Sequence, residues 1–249
     1  MSVGGEFLSR LLVRHCIVCG AVIGPEAEDS AFCAACGRAV SRELCGLCPD
    51  CGRRYALCRC VPQALRDEGV RELHYIARYA PSSGDKMRDL LLRMKRIRLQ
   101  KAYGFIAAQL AAQLAPKVGG HPGWLVTNIP RRKSGLKRFG LDQAEGTARA
   151  LAKELGLPYR RLFRKTSGTE QKTLGYEERL QAVRGSYVLT DPKAVRGRSV
   201  LLVDDIVTSG ASMAEGVRLL REHHAEEICV AAAAKTVRTV SEKERMQTG

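Results

Sequence analysis

An α/β fold, with a mainly parallel sheet flanked by helices and a small cysteine-rich module ahead of it, is what this sequence predicts. Three observations carry that expectation. Strand-length apolar runs, "LHYIARY" (73–79), "GWLVTNI" (123–129), "SVLLV" (199–203) and "ICVAAAA" (228–234), alternate with amphipathic stretches of helical length, a pattern that implies βαβ units. The run at 199–203 is almost wholly aliphatic, as in a strand covered on both faces. Nine of the ten cysteines fall between Cys16 and Cys60, and the composition changes sharply near Val61-Pro62. Residues 1–62 therefore read as a cysteine-rich zinc-binding module and 63–249 as the α/β domain.

In the module, Cys16-x2-Cys19 is followed after thirteen residues by Cys33-x2-Cys36. Paired knuckles of this kind supply four thiolates and close a tetrahedral shell, so Cys16, Cys19, Cys33 and Cys36 are expected to hold a structural zinc. A segment so poor in core hydrophobes needs such a staple. Redox chemistry is the competing reading of a CxxC pair. Cys45, Cys48, Cys51, Cys58 and Cys60 offer five thiols for four positions. Cys48, Cys51, Cys58 and Cys60 are the candidate second zinc site, with free or redox-active thiols as the alternative. Cys229, alone in an apolar segment, reads as a small buried hydrophobe.

In the α/β domain, residues 73–79 read as a strand and 86–115 as helical, ending before Pro116. Residues 123–129 suit a strand closed by Pro130. The amphipathic stretch 142–156 reads as a helix that stops at Gly156. "SYVL" is a further strand candidate; the run at 199–203, a helix over 213–222 and the run at 228–234 complete the domain. The last dozen residues are polar and expected to fray.

A net charge of +15 calls for anionic partners such as nucleotides, phosphorylated sugars or nucleic acid, with solubility as the plainer explanation. No apolar run approaches the ~18 residues of a membrane span. "FLSRLLV" is interrupted by Arg10 and lacks a small-residue cleavage site, so a cytoplasmic location is expected.

The most telling stretch is "VLLVDDIVTSGASMAEGVRLL" (200–220). Ligands of open parallel sheets bind beyond the carboxyl ends of the strands, where Asp204 and Asp205 are expected. A hydroxyl-rich loop follows, then a helix whose start is marked by Ser212 and Glu215 in capping-box spacing. Gly210 permits a close turn. The loop N–H groups and the helix N-terminus form a donor array for a dianion, with Thr208, Ser209 and Ser212 adding hydroxyls. Carboxylates beside a phosphate site suggest a phosphorylated sugar. No GxxxxGK[ST] or GxGxxG supports a nucleoside-triphosphate or dinucleotide loop. The plainer alternative is a strand end with solvated acids and a capped helix.

"VLLVDDIVTSGAS" resembles the phosphoribosyl-pyrophosphate (PRPP) motif of type I phosphoribosyltransferases. More narrowly, the chain resembles the ComF family, a cysteine module followed by a phosphoribosyltransferase-like domain. The blocks "MRDLLLRMKR", "IPRRKSGLKRFGLDQAEGTARALAKELGLP" and "TSGTEQKTLGYEERLQAVRGSYVL" occur in the family's order. Two blocks depart from it: Asn128-Ile129-Pro130 stands where the family has Pro-x-Pro, and Phe139-Gly140-Leu141-Asp142-Gln143 replaces Arg-Gly-Phe-Asn-Gln.

The resemblance implies a type I phosphoribosyltransferase-like fold and displacement of pyrophosphate from C1 of PRPP, or of a related phosphoribosyl compound, with magnesium. It assigns Asp204 and Asp205 to the ribose hydroxyls as catalytic groups, and Val207, Thr208, Ser209, Gly210, Ala211 and Ser212 to the 5-phosphate. It suggests Lys95, Arg131, Arg132, Lys133 and Arg138 for pyrophosphate, although a solvated basic face explains both basic runs equally well. Gln171 and Arg179 either shape a hood or cap a helix over "YEERLQAV". ComF proteins are linked to DNA uptake in natural transformation, so single-stranded DNA or DNA-processing proteins are further candidate partners. The alternative is a non-catalytic nucleic-acid-binding or adaptor protein that retains the PRPP loop. An aromatic content of 5% argues against a base-stacking platform.

Overall fold

The computed structural model describes residues 14–24, 30–80, 84–97, 99–131, 142–166 and 183–236. In the α/β part, β3 (Leu73–Tyr79), β4 (Trp124–Asn128), β7 (Ser199–Val207) and β8 (Ile228–Thr236) form one sheet in the order β3-β8-β7-β4. Every pairing in it is parallel. Parallel neighbours need crossovers, and helices α3 (Lys86–Met94), α4 (Gln100–Val118), α5 (Gln143–Leu155) and α6 (Ala211–Glu222) lie in them. A separate antiparallel pair joins β5 (Phe163–Lys165) to β6 (Tyr187–Leu189). The expected mainly parallel sheet flanked by helices is therefore present.

Side chains alternate across the sheet, and so do its two cores. Leu201, Val203, Ala231 and Ala233 face one cluster with Met87, Leu90, Ile106, Leu110 and Leu151. Val200, Leu202, Val230 and Ala232 face the other with Leu65, Phe163, Met213, Val217 and Leu220. Each large aliphatic side chain removed from water contributes about 1.5–3 kcal/mol, so the two faces together supply the main folding drive. The helices bury stripes at helical spacing, such as Tyr103, Ile106, Leu110 and Leu114 in α4 and Ala144, Ala148, Leu151 and Leu155 in α5.

The cysteine-rich segment contains a short hairpin of β1 (Arg14–His15) and β2 (Val22–Ile23), helix α1 (Ala34–Leu44) and a single 3-10 turn at Tyr55–Leu57. It joins both cores. Cys16, Ile17, Ile23, Cys36 and Val40 belong to the first, and Cys48, Tyr55 and Cys58 to the second. The short helix α2 (Gln63–Asp67) follows. Glu43 ties α1 to α3 by accepting from the N–H groups of Lys86 and Met87 at 2.7 and 2.8 Å.

Several expectations change in detail. The helical stretch from 86 is two helices, one ending at Met94 and the next starting at Gln100. The basic run Arg93, Lys95, Arg96 and Arg98 separates apolar stripes that meet different partners: α3 packs on α1 and β3, whereas α4 packs chiefly on α5 and β3. Pro116 lies inside α4 rather than beyond it, because Val118 is fully buried and Gly119 N–H closes the end on the Ala115 carbonyl at 3.0 Å. So near the C-terminus, proline removes a single intrahelical bond. Strand β5 had no counterpart in the sequence reading; its three residues are too few to show a period. The "YEERLQAV" helix, the polar C-terminal dozen and the N-terminal "FLSRLLV" lie outside the described residues.

Asp142 starts α5 by accepting from Glu145 N–H at 3.1 Å, and Gly156 ends it at φ 66°, left-handed as the sequence required. A methyl group at Gly156 would meet no neighbour within 4 Å, so Gly156→Ala incurs backbone strain alone. Thermal unfolding should show a loss of about 1 kcal/mol. An unchanged midpoint would contradict the assigned cap.

Candidate active site and metal centres

β7 does not end at Val203. Its ladder with β8 continues through Asp204↔Ala232, Ile206↔Ala234 and Val207↔Lys235, so both acids lie within the strand. The alanine run of β8 leaves room beside them. Asp204 Oδ1 accepts from Asp205 N–H at 2.8 Å, and Asp205 Oδ1 from Ile206 N–H at 2.7 Å. Burial pushes the Asp204 carboxyl well above its ordinary 3.8, and the neighbouring charge of Asp205 adds to the rise.

Because β4 runs parallel to β7, the chain leaving β4 emerges beside the acids. Ile129 N–H donates to the Val203 carbonyl at 3.0 Å, and two residues later Arg131 Nη2 stands 4.0 Å from Asp205 Oδ2. Arg131 N–H donates to Asp142 Oδ2 at 3.0 Å. The cap of α5 thus also holds the turn that carries Arg131. Among the described residues Arg131 Nη1 is buried and has no hydrogen-bond partner, a donor suited to an anion. From Arg131 and Asp142 a cleft of about 940 Å³ extends along α5 to β5, past Arg149, Arg161 and Lys165.

After Val207 the loop carries exposed Thr208 and half-buried Ser209, whose Oγ accepts from Ala211 N–H at 3.4 Å. Gly210 takes φ 83° as the residue before α6, and a Cβ there would lie 3.2 Å from Pro62 Cβ and 3.3 Å from Leu65 Cγ. Both its conformation and its neighbours demand glycine. Ser212, half-buried, lies in the first turn rather than at the cap. The expected capping box is absent. Glu215 is buried and engaged elsewhere, accepting from Gly185 N–H at 2.8 Å and from the Arg218 guanidinium in a bidentate pair. The helix therefore begins at Ala211 after a Gly210 that has no side chain to cap it, and the long Ser209 bond to Ala211 is the one side-chain contact given for its first N–H groups, an arrangement suited to an anion.

Of the basic candidates, Arg131 is brought to the acids. Lys95 follows the last turn of α3, and among the described residues no hydrogen bond or ion pair joins it to Asp204 or Asp205. Arg132, Lys133, Arg138, Gln171 and Arg179 lie outside the described residues. Asp142 escaped the sequence reading as a site residue, although its spacing before Glu145 was an N-cap signal.

The cysteines gather into two groups of four, Cys16/Cys19/Cys33/Cys36 and Cys48/Cys51/Cys58/Cys60, and within each the sulfurs lie within 4.8 Å of one another. Cys19 and Cys33 sulfurs are 3.8 Å apart, and those of Cys51 and Cys58 3.5 Å. Thiolates bound tetrahedrally to zinc at ~2.3 Å are separated by ~3.8 Å, far beyond a disulfide. Both groups could hold zinc. Burial opposes ionisation of Cys16, yet N–H groups of Cys19, Cys33 and Val18 bring its thiol down to about 6. Cys48 is likewise brought down to about 7, against burial, by N–H groups of Asp50 and Cys51. Such thiolate-stabilising amides suit metal knuckles. Cys45 is exposed and outside both groups, and Cys229 is buried as expected.

Residues 134–246, a little under half of the chain, match the phosphoribosyl transferase domain family. None of the curated proteins matches the chain. Similar solved structures include the glutamine PRPP amidotransferase of B. subtilis, with 21% identity, a TM-score of 0.35, and coverage of 53% of this chain and 25% of that one. A hypoxanthine phosphoribosyltransferase of Staphylococcus aureus aligns with 14% identity and a TM-score of 0.36 over 54% of this chain and 63% of its own. A purine phosphoribosyltransferase of Pyrococcus horikoshii aligns with 17% identity and a TM-score of 0.34 over 57% and 79%. The chain thus spans about a quarter of the amidotransferase it matches. Residues 134–246 thus carry a match to the phosphoribosyl transferase domain, within a chain whose main sheet is wholly parallel.

Two expected outcomes follow from this geometry. Asp204 has a raised folded-state value, so its protonated form contributes stability that is complete below 3.8 and is lost as pH rises through the raised value. Asp204→Asn cannot ionise, so its advantage over wild type in thermal unfolding should grow as pH rises above 3.8 and level off once pH exceeds the raised value. A constant difference would contradict the burial of that charge. Elemental analysis should find one zinc for each four-cysteine group, with Cys16→Ser and Cys48→Ser each removing one.

Proposed function

We propose that the chain binds PRPP and transfers its phosphoribosyl group, as a protein of the ComF type. The observation that supports this best is the sequence of Asp204, Asp205, the loop 207–212 and the glycine-led start of α6, all at the carboxyl end of β7. Loop N–H groups with Thr208, Ser209 and Ser212 would receive the 5-phosphate. Asp204 and Asp205 would accept from the ribose hydroxyls.

In the reaction the bond from C1 to the pyrophosphate oxygen breaks, the acceptor's lone pair forms the new bond to C1, and the acceptor loses its proton. Charge develops on the ring as the bond loosens, so carboxylates near it stabilise the transition state more than the ground state. Magnesium, when bound with PRPP, would neutralise pyrophosphate charge; the crowded carboxylates offer the hard oxygen donors it prefers. Arg131, 4.0 Å from Asp205 with Nη1 unpartnered, is suited to hold the leaving group. Lys95, Arg132, Lys133 and Arg138 remain candidates for the same task. Zinc in the two cysteine groups would be structural, since four thiolates leave no open position. A role in DNA uptake, a cytoplasmic location and the partition at residue 62 belong to the same reading.

Calorimetry with PRPP and magnesium tests it. Wild type should bind, and Asp205→Asn and Gly210→Ala should weaken binding by about tenfold or more. Absence of binding in wild type would overturn the reading. Salt-sensitive binding of single-stranded DNA instead would favour the nucleic-acid alternative, which the net charge of +15 supports.

A further inference from the structure

The second cysteine group touches the phosphate loop by two routes. The first runs through Lys235. This residue lies on β8 opposite Val207, the last residue of β7 before the loop. Its side chain is 7% exposed, with Nζ 3.6 Å from Asp50 Oδ2. Nζ also donates to the Cys60 carbonyl at 3.3 Å and stands 5.6 Å from the centre of the Tyr75 ring. Asp50 and Cys60 are not remote partners: Asp50 lies between Cys48 and Cys51, and Cys60 is itself one of the four thiols. The second route is the chain that follows Cys60. It leads through Pro62 to Leu65, and these two side chains pack directly against Gly210.

An ammonium this deeply placed is costly unless its partners stay in position. Those partners sit on a knuckle turn, closed by Gly52 N–H on the Cys48 carbonyl at 2.8 Å, whose geometry a bound metal would fix. We propose that Lys235 is a positioning residue that makes the shape of loop 207–212 depend on metal occupancy of Cys48, Cys51, Cys58 and Cys60. The proposal rests on the reading of that loop as the phosphate site. With the metal bound, Asp50 and the Cys60 carbonyl hold the ammonium, β8 stays in register with β7 to its end, and Pro62 and Leu65 buttress Gly210. Loss of the metal frees the knuckle and the segment after Cys60 together, and the donor array loses its support. The first cysteine group, packed in the other core, has no such connection through Lys235.

Hydrogen exchange of the full zinc-loaded chain tests this without any ligand. Cys51→Ser should lose the second metal, and amides 207–212 should exchange about tenfold faster. Lys235→Met should show the same acceleration while keeping both metals, which a purely structural loss of the zinc knuckle would not produce. The double variant should exchange no faster than either single one. Exchange within twofold of wild type in Lys235→Met, or multiplicative effects in the double variant, would overturn the proposal; Lys235→Met decides if Cys51→Ser does not fold. Calorimetry on the same samples should show PRPP affinity falling by a similar factor. Wild type that does not bind PRPP would sink the functional reading, while the exchange rates would still decide the link to the metal.

Discussion

The parallel pairing of β7 with β8 is the interaction on which the rest of this structure depends. Its buried residues, from Val200 to Val203 and from Val230 to Ala234, are apolar on both faces, so helices and cysteine-rich segments must cover them from both sides. The alanines of β8 keep the flank of β7 narrow, which lets the ladder run on past Val203 and carry two carboxylates inside it. The acids of the candidate site are therefore a continuation of the core strand, and the loop before α6 follows directly from it. Rigidity of the pair fixes where the acids stand, and the parallel neighbour β4 then delivers Arg131 to the same end.

That placement opposes stability to binding. Asp204 is pushed up by burial and by Asp205, and Asp142 is raised by burial and by the charges of Asp205 and Glu145, against N–H donation from Arg131 and Glu145 that lowers it. Arg131, at 4.0 Å, offsets part of this repulsion. A cation or hydroxyl donors placed beside the acids would relieve more of it. Strain of this kind is expected where a fold is organised around a charged ligand.

The cysteine segment gains from the same core. Its own hydrophobes are few, but Ile17, Ile23 and Val40 add to the face covered by α3 and α4, while Tyr55 adds to the opposite face beside Tyr75, whose ring centre lies 5.9 Å away. The Tyr75 hydroxyl is buried beside Cys48 and Cys58 and lacks a geometrically complete hydrogen bond, a natural donor to a metal-bound thiolate. A metal held by these cysteines would thus add to what the core already stabilises. The composition change near residue 62 marks a change of local chemistry, whereas the packing runs across it.

Much was legible in the sequence because it is written in local chemistry. The aliphatic runs fixed four parallel strands, the CxxC spacings fixed which thiols meet, and Asp142 with Gly156 fixed the ends of α5, since strand burial, ligand spacing and capping all act within a few residues. Other features depended on contacts between distant segments. Glu215, in capping-box spacing with Ser212, turned instead to Arg218 and Gly185, and Pro116 stayed helical because Val118 is buried. Read along the chain alone, the residues give the strands, the four cysteines of the first group and the acid-hydroxyl stretch. What stands beside them comes from the fold: Arg131 next to Asp205, and Lys235 between the second cysteine group and the end of β7. Such neighbours are set by parallel register, which pairs residues many positions apart and leaves no trace in local spacing.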